Sequence, residues 1–423
     1  MKKLISLTAA LCLLLCLLAG CGSSKTEPYE EDASLTETAE APAEAPAAEP
    51  ADAPADASGE PVPTEMPVSI GMSGTGTGFE TYPAAMTVAT VDGQEVSWME
   101  YYYWLNYYTL YVNQLAAQYG LVLSDWDAHD LSGENTNAEV VLMNAQANLI
   151  RDNVLLARCE KLGVSLSEED KAELQQIFEL NADNTTGDGN GEAIEDEVNA
   201  FTDYIAEQMH IDRAFFDKFN SISLLSEKAF LASYGVDGAD YSDDETLAFA
   251  EKNNLLGAKH ILLLTVDADT REKLGDDVIA EKRARAEELL AQLQAVKDDP
   301  AALEALFDQL MAENTEDNGY ASYPDGYVFS EGEMVQEFED GVKALEIGGL
   351  SDIVESSYGF HIILRIPIDP NAVIGTDNTG KDVTLRYAAA TQQFNQDLAD
   401  WSEAAEVVWS DGFEIPDLAA IMG

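Results

Sequence analysis

Apolar side chains recur along the chain at strand or helix spacing in some stretches and are nearly missing from others. Lys2 and Lys3 precede an unbroken apolar run from Leu11 to Leu18, shorter than the ~20 residues a membrane-spanning helix needs. From Ser23 to about Tyr82, Ala, Pro, Glu, Asp, Thr and Gly dominate and large apolar side chains almost vanish. A β-prone run, Met86 to Val91, is followed by the turn signal Asp92-Gly93. Ser97 and Glu100 then have the spacing of a capping box, opening a helix dense in aromatic residues: Trp98, Tyr101, Tyr102, Tyr103, Trp104, Tyr107, Tyr108 and Tyr111. That helix is apolar on more than one face, so it is core on one side, with the other either core as well or an exposed apolar surface. Further helices are predicted over about 138–162, stopped by Gly163, from Ser167 onward, and over 194–209 and 212–233, so 86–250 reads as mostly α. From about 257 the pattern becomes strand, three helices, strand, bounded by Ala258 to Leu264 and Tyr358 to Arg365; a last helix is predicted from Lys381 to about Trp409.

The first residues carry an expectation of where the protein goes. A basic pair, a short apolar run and Leu18-Ala19-Gly20-Cys21 form a lipoprotein signal peptide over 1–20, with Cys21 as the lipidated mature N-terminus. A plain signal peptide with an incidental cysteine is the competing reading. Residues 21–84 cannot offset the entropy of ordering and are expected to be a disordered acidic, Pro- and Ala-rich tether, with a span of roughly 45 Å. The expected location is extracytoplasmic, on the outer face of the bacterial cell membrane. Of four cysteines, Cys12 and Cys16 leave with the signal and Cys21 carries lipid, so Cys159 alone remains and neither a disulfide nor a Cys-based metal site can form within one mature chain. Cys159 itself falls in an apolar helical pattern and reads as a buried small hydrophobe. A net charge of −57 opposes nucleic acid and anionic lipid, while 46% hydrophobic residues suffice for a packed core. Residues 184–195 space oxygen ligands somewhat like a calcium loop, but Asn184 stands first and Gly191 eighth, which favours a plain polar loop.

Chemistry gathers in the C-terminal half. Three blocks occur in order: Lys259-His260-Ile261-Leu262; Phe329 to Phe338, which includes Met334; and Gly349 to Val354 leading to Gly359-Phe360-His361-Ile362-Ile363. Together they resemble the parvulin family of peptidyl-prolyl isomerases over roughly 257–367. The resemblance implies that His260 and His361 are paired on adjacent strands under the catalytic floor. It also implies that Met334 and Phe338 are walls of a proline pocket, placed by their spacing on one helical face. The family's Cys or Asp beside the substrate carbonyl falls, by gapless counting from Met334, on Asp317. Many parvulins have Gly-Asp-Leu-Gly where this chain reads Pro324-Asp325-Gly326-Tyr327, so Tyr327 or Phe329 is expected to supply the third apolar wall. The loop with Asp267, Asp269, Arg271 and Lys273 carries no net attraction for phosphoserine-proline. The implied chemistry needs no cofactor, metal or covalent nucleophile: the ring is held in an apolar slot and the twisted amide is favoured over the planar forms.

The layout is similar to PrsA-type foldase lipoproteins and SurA-type chaperones. It implies an α+β chain: a mostly helical SurA-like chaperone domain, residues 85–255, with an inserted α/β parvulin domain, 256–368. A C-terminal segment, 369–423, returns to the helical part. Expected partners are unfolded or partly folded secreted polypeptides and the membrane through Cys21; the oligomeric state stays open, a dimer included. Two other readings compete: a holdase whose parvulin module is weakly active or inactive, and a substrate-binding lipoprotein. The latter predicts two α/β lobes, which 86–250 does not show.

Overall fold

The computed structural model describes residues 77–118, 126–128, 133, 135–187, 189, 194–377, 379–415 and 418. The expected signal peptide, Cys21 and most of the 21–84 tether lie outside these residues, as do five positions of the 184–195 loop. The described residues form two compact units, one of 77–233 with 393 onward and one of 234–392. The second is wider at both ends than 256–368.

The first unit starts with a hairpin of β1 (Thr87–Val91) and β2 (Gln94–Ser97), turned by Asp92 and Gly93, both at positive φ as its twist requires. Five helices follow: α1 (Trp98–Gln118), α2 (Asn137–Leu162), α3 (Glu168–Thr186), α4 (Glu195–Gln208) and α5 (Arg213–Tyr234). Trp98 and Tyr101 through Leu105 of α1 are buried with Val141, Leu149, Phe178, Phe201 and Phe216 from the other four. Tyr107, Tyr108 and Tyr111 are partly buried against the same cluster, so this helix is core on most of its circumference. Caps close the elements as their residue types require: Thr136 and Ser167 each form a capping box, and Gly163 ends α2 at φ 69°. Ser97 forms only half of one. It accepts the Glu100 N–H, but the Glu100 carboxylate turns inward to Lys218 Nζ and Asn153 Nδ2, each at 2.8 Å. A buried carboxylate gains more from a cation than from a backbone N–H. Asn184 to Thr186 are the last residues of α3, so the start of the calcium-like spacing is helical. Cys159 is buried, its Sγ against the Leu225 carbonyl.

The second unit begins with α6 (Asp243–Lys252) and β3 (Leu256–Leu264), followed by α7 (Asp276–Gln294), α8 (Pro300–Asn314), β4 (Tyr327–Phe329), α9 (Gln336–Lys343), β5 (Val354–Glu355) and β6 (Gly359–Ile366). The sheet order is β4-β3-β6-β5, with each neighbouring pair antiparallel. One face of β3 and β6, through Ile261, Leu263, Phe360, Ile362 and Leu364, packs on Leu289 and Leu293 of α7 and Phe307 and Leu310 of α8. The other face, through Ala258 and Ile363, packs on Phe338 and Val342 of α9. With both faces covered, the central strands read as unbroken apolar runs rather than alternating ones.

The single helix expected from Lys381 to Trp409 is three elements. After β7 (Val373–Thr376) comes β8 (Asp382–Thr384), then α10 (Leu385–Ala404) and β9 (Val407–Trp409). Strand β9 pairs with β1, which puts Trp409 5.3 Å from Tyr101, ring to ring.

Candidate active site

Strand geometry explains why two histidines 101 positions apart meet. In the β3–β6 register His260 lies opposite Ile363 and Leu262 opposite His361. Side chains two apart share a face, so His260 and His361 are diagonal neighbours on the face toward α9. Their Nδ1 atoms are 3.0 Å apart. Asp317 reaches the pair from the segment after α8, its Oδ2 3.0 Å from His260 Nε2. That segment is pinned along the part of β3 that β4 does not cover. Glu316 N–H donates to the Leu262 carbonyl at 2.8 Å, Leu262 N–H donates to Thr315 Oγ1, and Leu264 N–H donates to Glu316 Oε2. Ser356, in the turn between β5 and β6, lies 2.7 Å from His361 Nε2.

Burial alone would raise the Asp317 carboxyl, but the hydrogen bond and charge of His260, then the Tyr327 hydroxyl and the Gly319 N–H, outweigh it and hold the group at about 2. Burial pushes His361 down to about 3, with the charge of His260 in the same direction and that of Asp317 opposing. At neutral pH Asp317 is therefore ionised and His361 is neutral. A carboxylate only accepts, so His260 Nε2 carries a proton. His260 Nδ1 and His361 Nδ1 share one hydrogen bond, and His361 Nε2 shares another with the Ser356 hydroxyl. The four groups form one continuous line from Ser356 to Asp317.

Above this polar line lies an apolar wall. The Phe338 ring is 5.0 Å from His260, 5.6 Å from His361 and 5.7 Å from Phe329. Phe329 and Phe338 are buried, and Met334 and Tyr327 pack half-buried against the same cluster. Met334 is not on a helix, contrary to the spacing argument: α9 starts at Gln336. The buried Glu339 carboxylate accepts the Gly332 and Met334 N–H groups at 2.8 and 3.1 Å, which folds 332–334 into a turn over the start of α9. Tyr327 is not the purely apolar wall expected, because its hydroxyl donates to Asp317 Oδ2 at 2.5 Å.

The sequence reading had picked out seven residues, His260, Asp317, Tyr327, Phe329, Met334, Phe338 and His361, and these lie around one site. It missed Ser356, Thr315 and Glu316, whose places follow from the sheet and leave no local signature. Among the described residues, no group of three or more His, Cys, Asp or Glu could hold a metal ion. None of the described helices is long and apolar enough to cross a membrane.

Residues 260–366 match the rotamase family, described as the PPIC-type PPIASE domain. The foldase protein PrsA of Halalkalibacterium halodurans is 29% identical over 186 residues, 44% of this chain and 49% of that protein, so the chain spans about half the length of this relative. The foldase protein PrsA of Clostridium perfringens strain 13 is 24% identical over 332 residues, 76% of this chain and 85% of that protein. A crystal structure of PrsA from Bacillus cereus, 20% identical, covers 78% of this chain and 96% of its own with a TM-score of 0.24.

Proposed function

We propose that this chain, whose residues 260–366 match the PPIC-type PPIASE domain, is a PrsA-like foldase whose site turns X-Pro bonds between cis and trans in secreted polypeptides. Amide resonance sets a barrier of ~18–20 kcal/mol, and a catalyst has to favour the twisted, less conjugated amide over both planar forms. Phe338, Met334 and Phe329 hold the prolyl ring. His260, Asp317 and His361 form the polar floor beside the carbonyl. The observation that carries the reading is the Phe338 ring lying 5.0 and 5.6 Å from two imidazoles that are hydrogen-bonded to each other and to Asp317. This puts an apolar wall directly against an ordered polar line, as the reaction requires. The helical unit supplies the chaperone surface for unfolded chains, and Cys21 anchors the mature protein by lipid to the outer face of the cell membrane.

The test is cis/trans exchange in a proline peptide. The mature chain accelerates it, and His260→Ala lowers the rate at least tenfold. Exchange no faster than in buffer removes the isomerase reading. A pure holdase is separated by client aggregation: on the foldase reading, His260→Ala loses isomerisation while still suppressing aggregation. Metabolic labelling with palmitate tests the anchor, and Cys21→Ala should abolish incorporation.

A further inference from the structure

Residue 327 stands where many parvulins have a glycine, and here it is a tyrosine with a defined polar partner. Its hydroxyl donates to the same Asp317 oxygen, Oδ2, that faces His260 Nε2, while Oδ1 accepts the Gly319 N–H at 3.1 Å. The seat for the hydroxyl is Gly319 itself. A Cβ on Gly319 would lie 2.0 Å from the Tyr327 oxygen and 3.1 Å from its Cζ, so no other residue fits beside the phenol as it stands. The preceding Gly326 is at φ 104°, and a Cβ there would meet the Ala258 carbonyl at 2.8 Å. The turn that delivers Tyr327 therefore needs this glycine too. The ring is held from two further sides, by Tyr323 at 5.0 Å and edge-on by His260 at 5.7 Å.

We propose that Tyr327 is a positioning residue of the isomerase site: seated on Gly319, its hydroxyl fixes the orientation of the Asp317 carboxylate and, through it, the tautomer of His260. The proposal rests on the isomerase reading for its kinetic consequence, but the positioning itself is independent of turnover. The groups facing Asp317 are His260 from β3, with His361 of β6 behind it, Tyr327 from β4, and the Gly319 N–H of its own turn. Glu316, its chain neighbour, is turned away to Lys282 and the Leu264 N–H. Without the phenol, one of the three donors is lost and only His260 and the Gly319 N–H still orient the carboxylate. The acceptor of His260 is then less firmly placed.

The experiment uses the mature chain with Tyr327→Phe, Gly319→Ala and both together, read by imidazole nitrogen NMR at neutral pH and by isomerisation kinetics. Wild type shows His260 protonated at Nε2. Tyr327→Phe mixes the tautomers and lowers kcat about three- to tenfold at unchanged KM, since Phe338 and Met334 are untouched. Gly319→Ala displaces the hydroxyl and does the same, yet adds less than about twofold when Phe already stands at 327. An unmixed His260 signal in Tyr327→Phe, or a Gly319→Ala effect equal in both backgrounds, overturns the proposal. If the wild type shows no isomerisation while the tautomers still respond, the isomerase reading fails and the positioning role stands.

Discussion

Acid should unlock the isomerase unit, and the cause is a buried neutral histidine. The His361 side chain titrates at about 3 in the folded protein against an ordinary 6.5, because burial disfavours its cation. Between those values the unfolded chain binds a proton that the native chain does not, so stability is complete above about 6.5 and falls as the pH drops towards 3. The slope is about 1.4 kcal/mol per pH unit and the total loss about 5 kcal/mol, against the roughly 5–15 kcal/mol that holds a domain folded. Asp317 acts in the same direction at lower pH. Its folded value of about 2 lies under the ordinary 3.8, so its contribution is present above 3.8 and is lost as the pH falls through 2. All five tryptophans, Trp98, Trp104, Trp126, Trp401 and Trp409, lie outside 234–392, so fluorescence would report the other unit. Hydrogen exchange of β3 and β6 in urea at pH 4, 5, 6 and 7 reads the right one. His361→Gln should flatten the slope by about one proton while lowering stability at pH 7 through the partners it leaves unpaired. Equal slopes in the two proteins, or a folded His361 ring that titrates near 6.5 by NMR, would refute the reasoning.

Three further outcomes follow from packing. Met334→Ala should raise KM for proline peptides several-fold with little loss of stability, because the side chain is half-buried and lies off the helix; peptide kinetics beside thermal unfolding measure both. Gly359→Ala should cost the second unit more than about 2 kcal/mol, since its Cβ would come 2.1 Å from the Leu263 carbonyl inside the β3–β6 pairing, and urea unfolding followed by exchange of β6 amides reads it. Lys218→Met should cost the helical unit roughly 3–5 kcal/mol by leaving the buried Glu100 carboxylate without its cation, and adding Glu100→Gln should recover part of that loss in tryptophan-monitored unfolding.

What was legible in the sequence is what local pattern and spacing encode. The helical half, its caps at Ser167 and Gly163, and the two long central strands all show as periodicity or turn chemistry. Motif order pointed to His260, His361, Met334 and Phe338 and gapless counting to Asp317, and the fold brings these side chains together. What stayed hidden is non-local. Strands β4, β5, β8 and β9 have two or three residues apiece and exist only through their partners, as β9 does through β1. Met334 lies off the predicted helix, in the turn before α9 whose Gly332 and Met334 N–H groups the buried Glu339 carboxylate accepts. The phenol of Tyr327 was expected among apolar atoms, and only folding brings it to Asp317, ten positions earlier.

The same network also bears on which chemistry the site can perform. A group that shuttles protons near neutral pH needs an affinity close to that pH. His361 holds no second proton until about 3, Asp317 stays ionised down to about 2, and burial together with the bond to Asp317 drives the Tyr327 phenol well above its ordinary range. Three of the members are thus fixed in one protonation state around neutral pH. Fixed members make a poor relay and a good template, since their dipoles are already aligned before a substrate arrives and need no reorganisation as the amide twists. A reaction limited by loss of amide resonance, with no bond to a hydrogen made or broken, is the kind such a template serves. Its rate should accordingly be nearly flat from pH 6.5 to 9 and show no solvent isotope effect beyond that on the uncatalysed exchange; a clear isotope effect would return proton transfer to the mechanism.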